Sequence, residues 1–194
     1  MGFDPNGMLG RVPAEERLNI FALVIYIPDP LGRFLDELRR ELVPHCDPHA
    51  HVSVLPPRPL AVDWREASAQ AQALVESWTP FDIELGPIHR FQVTDVVYLN
   101  VGAGAAELRR MHTAMNASVF EFHEPFPYHP HVTLAQEVTH DSVARVEDLA
   151  MRRWRAFAGV REFRAERAVF VQSTLSGRWI DLAEYSMGTV AAKL

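Results

Sequence analysis

Cysteine is almost absent from this chain of 194 residues: Cys46 stands alone, so no internal disulfide can form and no cysteine-based zinc site can be built. Lysine is equally scarce, with Lys193 the only one, and the remaining positive charge is arginine. That bias reads as genome composition, although a guanidinium also suits planar recognition of phosphate. Long apolar runs are missing too. The longest nearly apolar run, Leu18 to Ile27, covers ten residues and includes Asn19. A bilayer span needs roughly twenty, so a buried strand is expected here, not a membrane helix. Glu15 and Glu16 precede it where a secretory signal would be basic, and Asn6 stands where a myristoylation signal wants Ser or Thr. A cytoplasmic protein is the expectation. Excess positive charge is also lacking: the formal net charge of −6 excludes a whole-surface grip on nucleic acid, duplex DNA included. A small local phosphate site remains open.

What is present is ordinary globular material. Apolar residues make up 48% and charged residues 23%, which excludes disorder, collagen and coiled coil as descriptions of the whole chain. The length suits one domain, or two small lobes sharing a core, and a monomer is expected. Residues 1–16 carry Gly2, Pro5, Gly7, Gly10 and Pro13 without apolar periodicity and read as a flexible N-terminal arm. Residues 17–194 read as a single two-lobed domain.

From Leu18 the pattern becomes regular. Ile20–Ile27 reads as a strand ending at Pro28-Asp29-Pro30, and Leu31, Phe34, Leu35, Leu38 and Leu42 recur at helical spacing up to Pro44. His51–Leu55 is a predicted strand stopped by Pro56-Pro57, because neither proline can donate to a ladder. Asp63 caps a predicted helix to about Trp78, and Phe81–Leu85 resumes strand character. The second half repeats the order. Val96–Val101 is a strand, Ala106 to about Val119 a helix, and Val132–Leu134 a strand. Asp141 caps a helix through Ala150, and Arg167–Val171 and Trp179–Leu182 are strands joined through Ser176-Gly177.

The repetition extends to letters. Glu37-Leu38-Arg39-Arg40 precedes His51-Val52-Ser53, and Glu107-Leu108-Arg109-Arg110 precedes His131-Val132-Thr133. The offsets are 70 and 80 residues, which places a ten-residue insertion, Phe120 to His129, before the second motif. An internal duplication follows, with units of about 18–93 and 94–174 facing each other across a central cleft.

On a strand, residues i and i+2 share a face, so His51 stands beside Ser53 and His131 beside Thr133, while Val52, Val54, Val132 and Leu134 turn to the core. Two imidazoles and two hydroxyls facing one small anion suit a phosphodiester. Displacement at phosphorus needs a proton removed from the attacking oxygen and one delivered to the leaving oxygen, and histidine can do either near neutral pH. Hydroxyls can donate to the non-bridging oxygens as charge grows there. No metal or nucleotide cofactor is demanded.

The two H-x-[ST]-x motifs, His51-Val52-Ser53-Val54 and His131-Val132-Thr133-Leu134, with Pro130 before the second, resemble the signature of the 2H phosphoesterases. That family includes the bacterial RNA 2′,3′-cyclic phosphodiesterases also called 2′-5′ RNA ligases. The resemblance covers about Leu18 to Leu182. It implies an α+β fold of duplicated, pseudo-twofold lobes, with antiparallel sheets lining a central cleft and helices outside. It also implies metal-independent opening of a 2′,3′-cyclic phosphate on a nucleotide or RNA end. At matching positions His51 and His131 would be catalytic in exchangeable acid and base roles, and Ser53 and Thr133 would bind phosphate. Gln136-Glu137 follow Ala135 where RNA-processing members often carry a basic residue.

Other readings compete. His49-Ala50-His51 and His129-Pro130-His131 are both H-x-H, and four imidazoles could hold a transition metal. No acid follows His51 until Asp63, which counts against a metal shell. The cleft could also capture nucleotides or RNA ends without catalysis. Phe91, Phe126 and Tyr128 are candidates for stacking on a base, and Arg58 and Arg90 for touching phosphate; ordinary packing and surface exposure are the alternatives for each. His45, His112, His123 and His140 read as structural residues.

Overall fold

The computed structural model describes residues 12–188. Strand β1 (Arg17–Tyr26) leads into helix α1 (Leu31–Leu42), strand β2 (His51–Arg58), helix α2 (Trp64–Glu76) and strand β3 (Phe81–Arg90). The second half runs β4 (Val97–Val101), α3 (Ala105–Met115), β5 (His131–Ala135) and α4 (His140–Ala156), followed by β6 (Glu162–Ala165), β7 (Arg167–Thr174) and β8 (Trp179–Ser186).

Alternation explains β1. Phe21, Leu23 and Ile25 point into the main core, while Ala22 and Val24 join Val169 and Val171 on the other face. In α1, Leu31, Leu35, Leu38 and Leu42 bury one stripe at helical spacing. Gly32 lets this helix start close against the end of β1, since a Cβ there would lie 2.1 Å from the Ile27 carbonyl oxygen.

All strand pairs are antiparallel, and the strands form two four-stranded sheets in the orders β2-β1-β7-β8 and β5-β4-β3-β6. The halves exchange elements. Strand β3 joins the sheet of β4 and β5, and β7 joins the sheet of β1 and β2. Helices cross over as well: α1 packs on β5, and α3 packs on β2. Each motif strand is therefore backed by a helix from the other half, with β2 and β5 side by side at the centre. The α+β architecture of two antiparallel sheets with outer helices is the expected one.

Several local expectations need correction. Strand β2 continues through Pro56-Pro57 to Arg58, because it is a sheet edge and its pairing with β1 shifts register there, so missing donors cost no ladder bond. Strand β3 likewise runs past Gly86-Pro87 to Arg90 through a register shift between Leu85 and Ile88. Helix α3 stops at Met115, and Ser118–Phe120 forms a separate 3₁₀ turn. Helix α4 begins at His140 with Thr139 as its N-cap, two residues before the predicted start. Strand β6, four residues alternating exposed and buried, carries too short a pattern to be seen without its partner β3. The expected arm lies largely outside the described residues; its last part, Ala14–Glu16, is a 3₁₀ turn.

Candidate active site

Register places the site residues. Across the β1–β2 ladder Tyr26 faces His51 and Val24 faces Ser53. Across the β4–β5 ladder Asn100 faces His131 and Tyr98 faces Thr133. The alternate residues Val52, Val54, Val132 and Leu134 are buried in the main core, which fixes which face the motifs present. His51, Ser53, His131 and Thr133 all line one cavity of about 970 Å³. The structure thus brings both predicted pairs to the same wall space.

Each motif imidazole is held in the same way. His51 Nδ1 donates to the carbonyl oxygen of His49 at 2.6 Å, and His131 Nδ1 donates to that of His129 at 2.7 Å. A carbonyl only accepts, so Nδ1 carries a hydrogen in both rings, and Nε2 is the nitrogen that gains or loses a proton, with a lone pair when the ring is neutral. The first histidine of each H-x-H triplet is itself propped on the cross-strand partner of the second. His49 stacks on Tyr26 with centroids 3.6 Å apart, and His129 Nε2 donates to Asn100 Oδ1 at 3.0 Å. His129 and His49 therefore serve the backbone that orients the motif rings.

Burial pushes the His51 imidazole down to about 4, and the charges of Arg39, His49 and His131 also oppose its protonation, against the opposite pull of the His49 carbonyl. Burial lowers His131 as well, again offset in part by a carbonyl, that of His129. Both residues are half-buried in the cavity wall. Phe91 and Tyr98, stacked on each other at 4.0 Å, present edge-to-face contacts to His131 at 5.2 and 5.3 Å.

The remaining sequence candidates divide. Phe91, Phe126 and Tyr128 line the cavity. Tyr128 donates its hydroxyl to the Ser53 carbonyl at 2.7 Å and stacks on His112 at 3.9 Å, so one ring face and the hydroxyl are already engaged. Arg58 does not line the cavity. Its side chain is 2% exposed and donates to Asn116 Oδ1 at 2.7 Å, to the Phe120 carbonyl at 2.8 Å and to Glu124. Arg90 sits beside Asp95 and Glu147 at 3.7 and 3.6 Å. His112, expected to be structural, donates Nδ1–H to the Val54 carbonyl at 2.9 Å. Among the described residues no three His, Cys, Asp or Glu side chains converge so as to hold a metal.

Sequence reasoning passes over Arg39, Tyr26 and Asp181, all of which line the cavity. Arg39 sits in a repeated four-letter match that reads as an ordinary amphipathic helix; that helix crosses to the other half and so reaches the site. Tyr26 can be found only from the register that sets it opposite His51.

Residues 27–177 match the family model of the 2'-5' RNA ligase superfamily. A protein of Oceanobacillus iheyensis named "Putative phosphoesterase OB1230" is 26% identical over 82 residues, which span 42% of this chain and 48% of that protein. The chain thus spans about half the length of this curated relative. Among solved structures, Escherichia coli LigT complexed with phosphate superposes with a TM-score of 0.60 at 13% identity, covering 90% of this chain and 98% of that one. The same protein complexed with 3'-AMP gives 0.56 at 14% identity, covering 90% and 99%. TT0787 of Thermus thermophilus gives 0.58 at 16% identity, covering 88% and 98%. At such identities these likenesses establish a shared fold, whereas the family model spans more than half of the sequence: the chain belongs to the 2'-5' RNA ligase superfamily.

Proposed function

We propose that the protein is a metal-independent phosphodiesterase that opens 2′,3′-cyclic phosphates on nucleotides or RNA ends by two-histidine acid–base catalysis. One observation carries the reading: two imidazoles from opposite halves, each with Nδ1 tied to a backbone carbonyl, share a cavity with two hydroxyls. Family membership supports phosphoester chemistry.

His51, held more firmly neutral by burial, acts as base and His131 as acid. Water attacks phosphorus as His51 Nε2 takes its proton. A P–O bond to the 2′ or 3′ oxygen breaks, and His131 Nε2–H delivers a proton to that oxygen, leaving a phosphomonoester. The entering phosphate anion supplies the negative charge that favours imidazolium at His131. Ser53 and Thr133 hydroxyls, engaged by no other described residue, donate to the non-bridging oxygens. The bonds from Nδ1 to carbonyls keep both Nε2 atoms oriented throughout.

The test is hydrolysis of a nucleoside 2′,3′-cyclic monophosphate with chelator present. Turnover by the wild-type chain, reduced about 10²–10⁴-fold in kcat by His51→Ala or His131→Ala, is the expected result. Activity lost with chelator and restored by zinc would make the H-x-H triplets metal ligands. Binding without turnover would make the cleft a capture module.

A further inference from the structure

The walls of the cavity restrict what it can take, an inference that rests on the phosphoesterase reading above. Charge comes first. Among the described lining residues Arg39 is the only Lys or Arg, while Asp47, Glu124 and Asp181 bring three carboxylates. Glu124 pairs with Arg58, Asp181 accepts the Tyr26 hydroxyl, and Asp47 faces Arg178 at 3.4 Å in an exposed pair. Arg39 is different. Its Nε is buried and without a hydrogen-bond partner. That nitrogen is closed to a ligand, but the guanidinium lines the cavity and its charge already acts on His51, so its outer nitrogens are placed to pair with an anion's oxygen. One guanidinium beside engaged carboxylates can balance one phosphate. Tracking a polyanionic strand takes several cations along a groove, and these walls do not offer them.

The rest of the wall is apolar. Val93, Phe126 and Trp179 are 82%, 53% and 42% exposed, and all three line this cavity although they come from the β3–β4 turn, the segment before β5 and the start of β8. Scattered exposed hydrophobics are ordinary, but convergence of three on one concavity marks a ligand face. Further in, Ala22, Val24 and Val171 extend the same surface. The cavity therefore has a polar pole, with the motif imidazoles, hydroxyls and Arg39, and an apolar pole suited to a planar uncharged body. Its volume, about 970 Å³, suits a small organic molecule.

We propose that the substrate is a small cyclic phosphodiester with a single phosphate and an uncharged aromatic body, of the size of a nucleoside 2′,3′-cyclic monophosphate with a free 5′-hydroxyl, and not an RNA strand or a nucleotide bearing further phosphates. Arg39 holds the phosphate, and Trp179 and Phe126 cover the body.

The experiment compares three substrates on the full chain with chelator present: a nucleoside 2′,3′-cyclic monophosphate, the same nucleotide with a 5′-phosphate, and a trinucleotide ending in a 2′,3′-cyclic phosphate. The expected kcat/KM falls about tenfold or more with the 5′-phosphate and again with the trinucleotide. Trp179→Ala and Phe126→Ala raise KM for the first substrate several-fold, and Arg39→Lys retains more activity than Arg39→Gln. Equal or better turnover of the trinucleotide overturns the substrate class while leaving the phosphoesterase reading intact. Absence of turnover on all three instead overturns that reading. Calorimetric binding of a nucleoside 3′-monophosphate against a trinucleotide then still decides the class: tighter binding of the monophosphate supports it, and tighter binding of the trinucleotide overturns it.

Discussion

The hydroxyl of Tyr26 donates to Asp181 Oδ1 at 2.6 Å, tying the residue opposite His51 to the outer strand β8 of the same sheet. Burial and the Asp181 carboxylate both raise the phenol's pKa, so it stays a donor across the working range. The same ring stacks on His49, whose carbonyl holds His51, so Tyr26 supports the His51 imidazole from beneath. Tyr26→Phe keeps the stack and removes the donor. Stability should fall by about 1–2 kcal/mol in urea titrations, with a modest decrease in kcat. Tyr26→Ala removes both supports and should lower kcat at least ten times further, by about the cost of a misplaced base. Equal kcat for the two variants would deny the ring any part in placing His51.

The pH profile follows from the two depressed histidines. With His51 as the proposed base and His131 as the proposed acid, the productive free enzyme would have His51 neutral and His131 charged. His51 titrates near 4, so kcat/KM should rise as pH climbs through that value. His131 lies below its ordinary 6.5, so the falling limb should be centred below 6.5 as well. Bound phosphate favours imidazolium, which moves the falling limb of kcat to higher pH than that of kcat/KM. Stability has the matching sign. A histidine whose folded pKa is depressed contributes fully above 6.5, and that contribution is lost as pH falls toward 4, because the unfolded chain takes the proton first. His51→Gln should therefore lose less stability than the wild type between pH 6.5 and 4, as read by thermal melts.

How much of this is legible in the sequence depends on the range of the interactions. The strand character of His51–Val54 and His131–Leu134 is written in local alternation, so the shared faces of His51 with Ser53 and His131 with Thr133 follow from the letters. Prolines mislead: Pro56 and Pro57 look like stops unless the strand is known to be an edge with a register shift. The exchange of β3 and β7 between the halves is a matter of long-range pairing, such as Val24 with Val169, and no local pattern encodes it. Arg58 shows the same limit. Directly after two prolines it looks like a free surface cation, yet beyond the local Pro56 carbonyl its partners Asn116, Phe120 and Glu124 come from the other half of the chain.

Arg58 accordingly supports a stability prediction. Replacing it with methionine takes the guanidinium away from the Glu124 carboxylate, which His112 Nε2 also approaches at 3.6 Å, and removes one donor each from Asn116 Oδ1 and the Phe120 carbonyl. Breaking such a buried pair from one side costs about 3–5 kcal/mol. Arg58→Met should lower the urea midpoint accordingly, and Arg58→Lys should recover only part, because one ammonium cannot reproduce the fork. KM for a cyclic nucleotide, measured well below the melting temperature, should change little if Arg58 acts through the fold; a selective rise in KM would return it to the binding site.

The H-x-H triplets permit the sharpest separation of positioning from ligation. If His49 and His129 hold the backbone that orients the motif rings, what matters in each is its contact with the cross-strand neighbour, stacking for His49 on Tyr26 and hydrogen bonding for His129 on Asn100. His49→Phe preserves the stack and should keep kcat within about threefold, whereas His49→Ala should lower it about tenfold or more with little change in KM. The requirement reverses on the other side. His129→Gln keeps an amide donor for Asn100 Oδ1 and should retain more activity than His129→Phe, which offers a ring and no donor. A metal shell would respond differently, because phenylalanine ligates nothing: His49→Phe and His49→Ala would then be equally inactive, and added zinc would raise the wild type alone. The crossed pattern, aromatic rescue at position 49 and donor rescue at position 129, is therefore expected only where each triplet's first histidine works through its own strand partner.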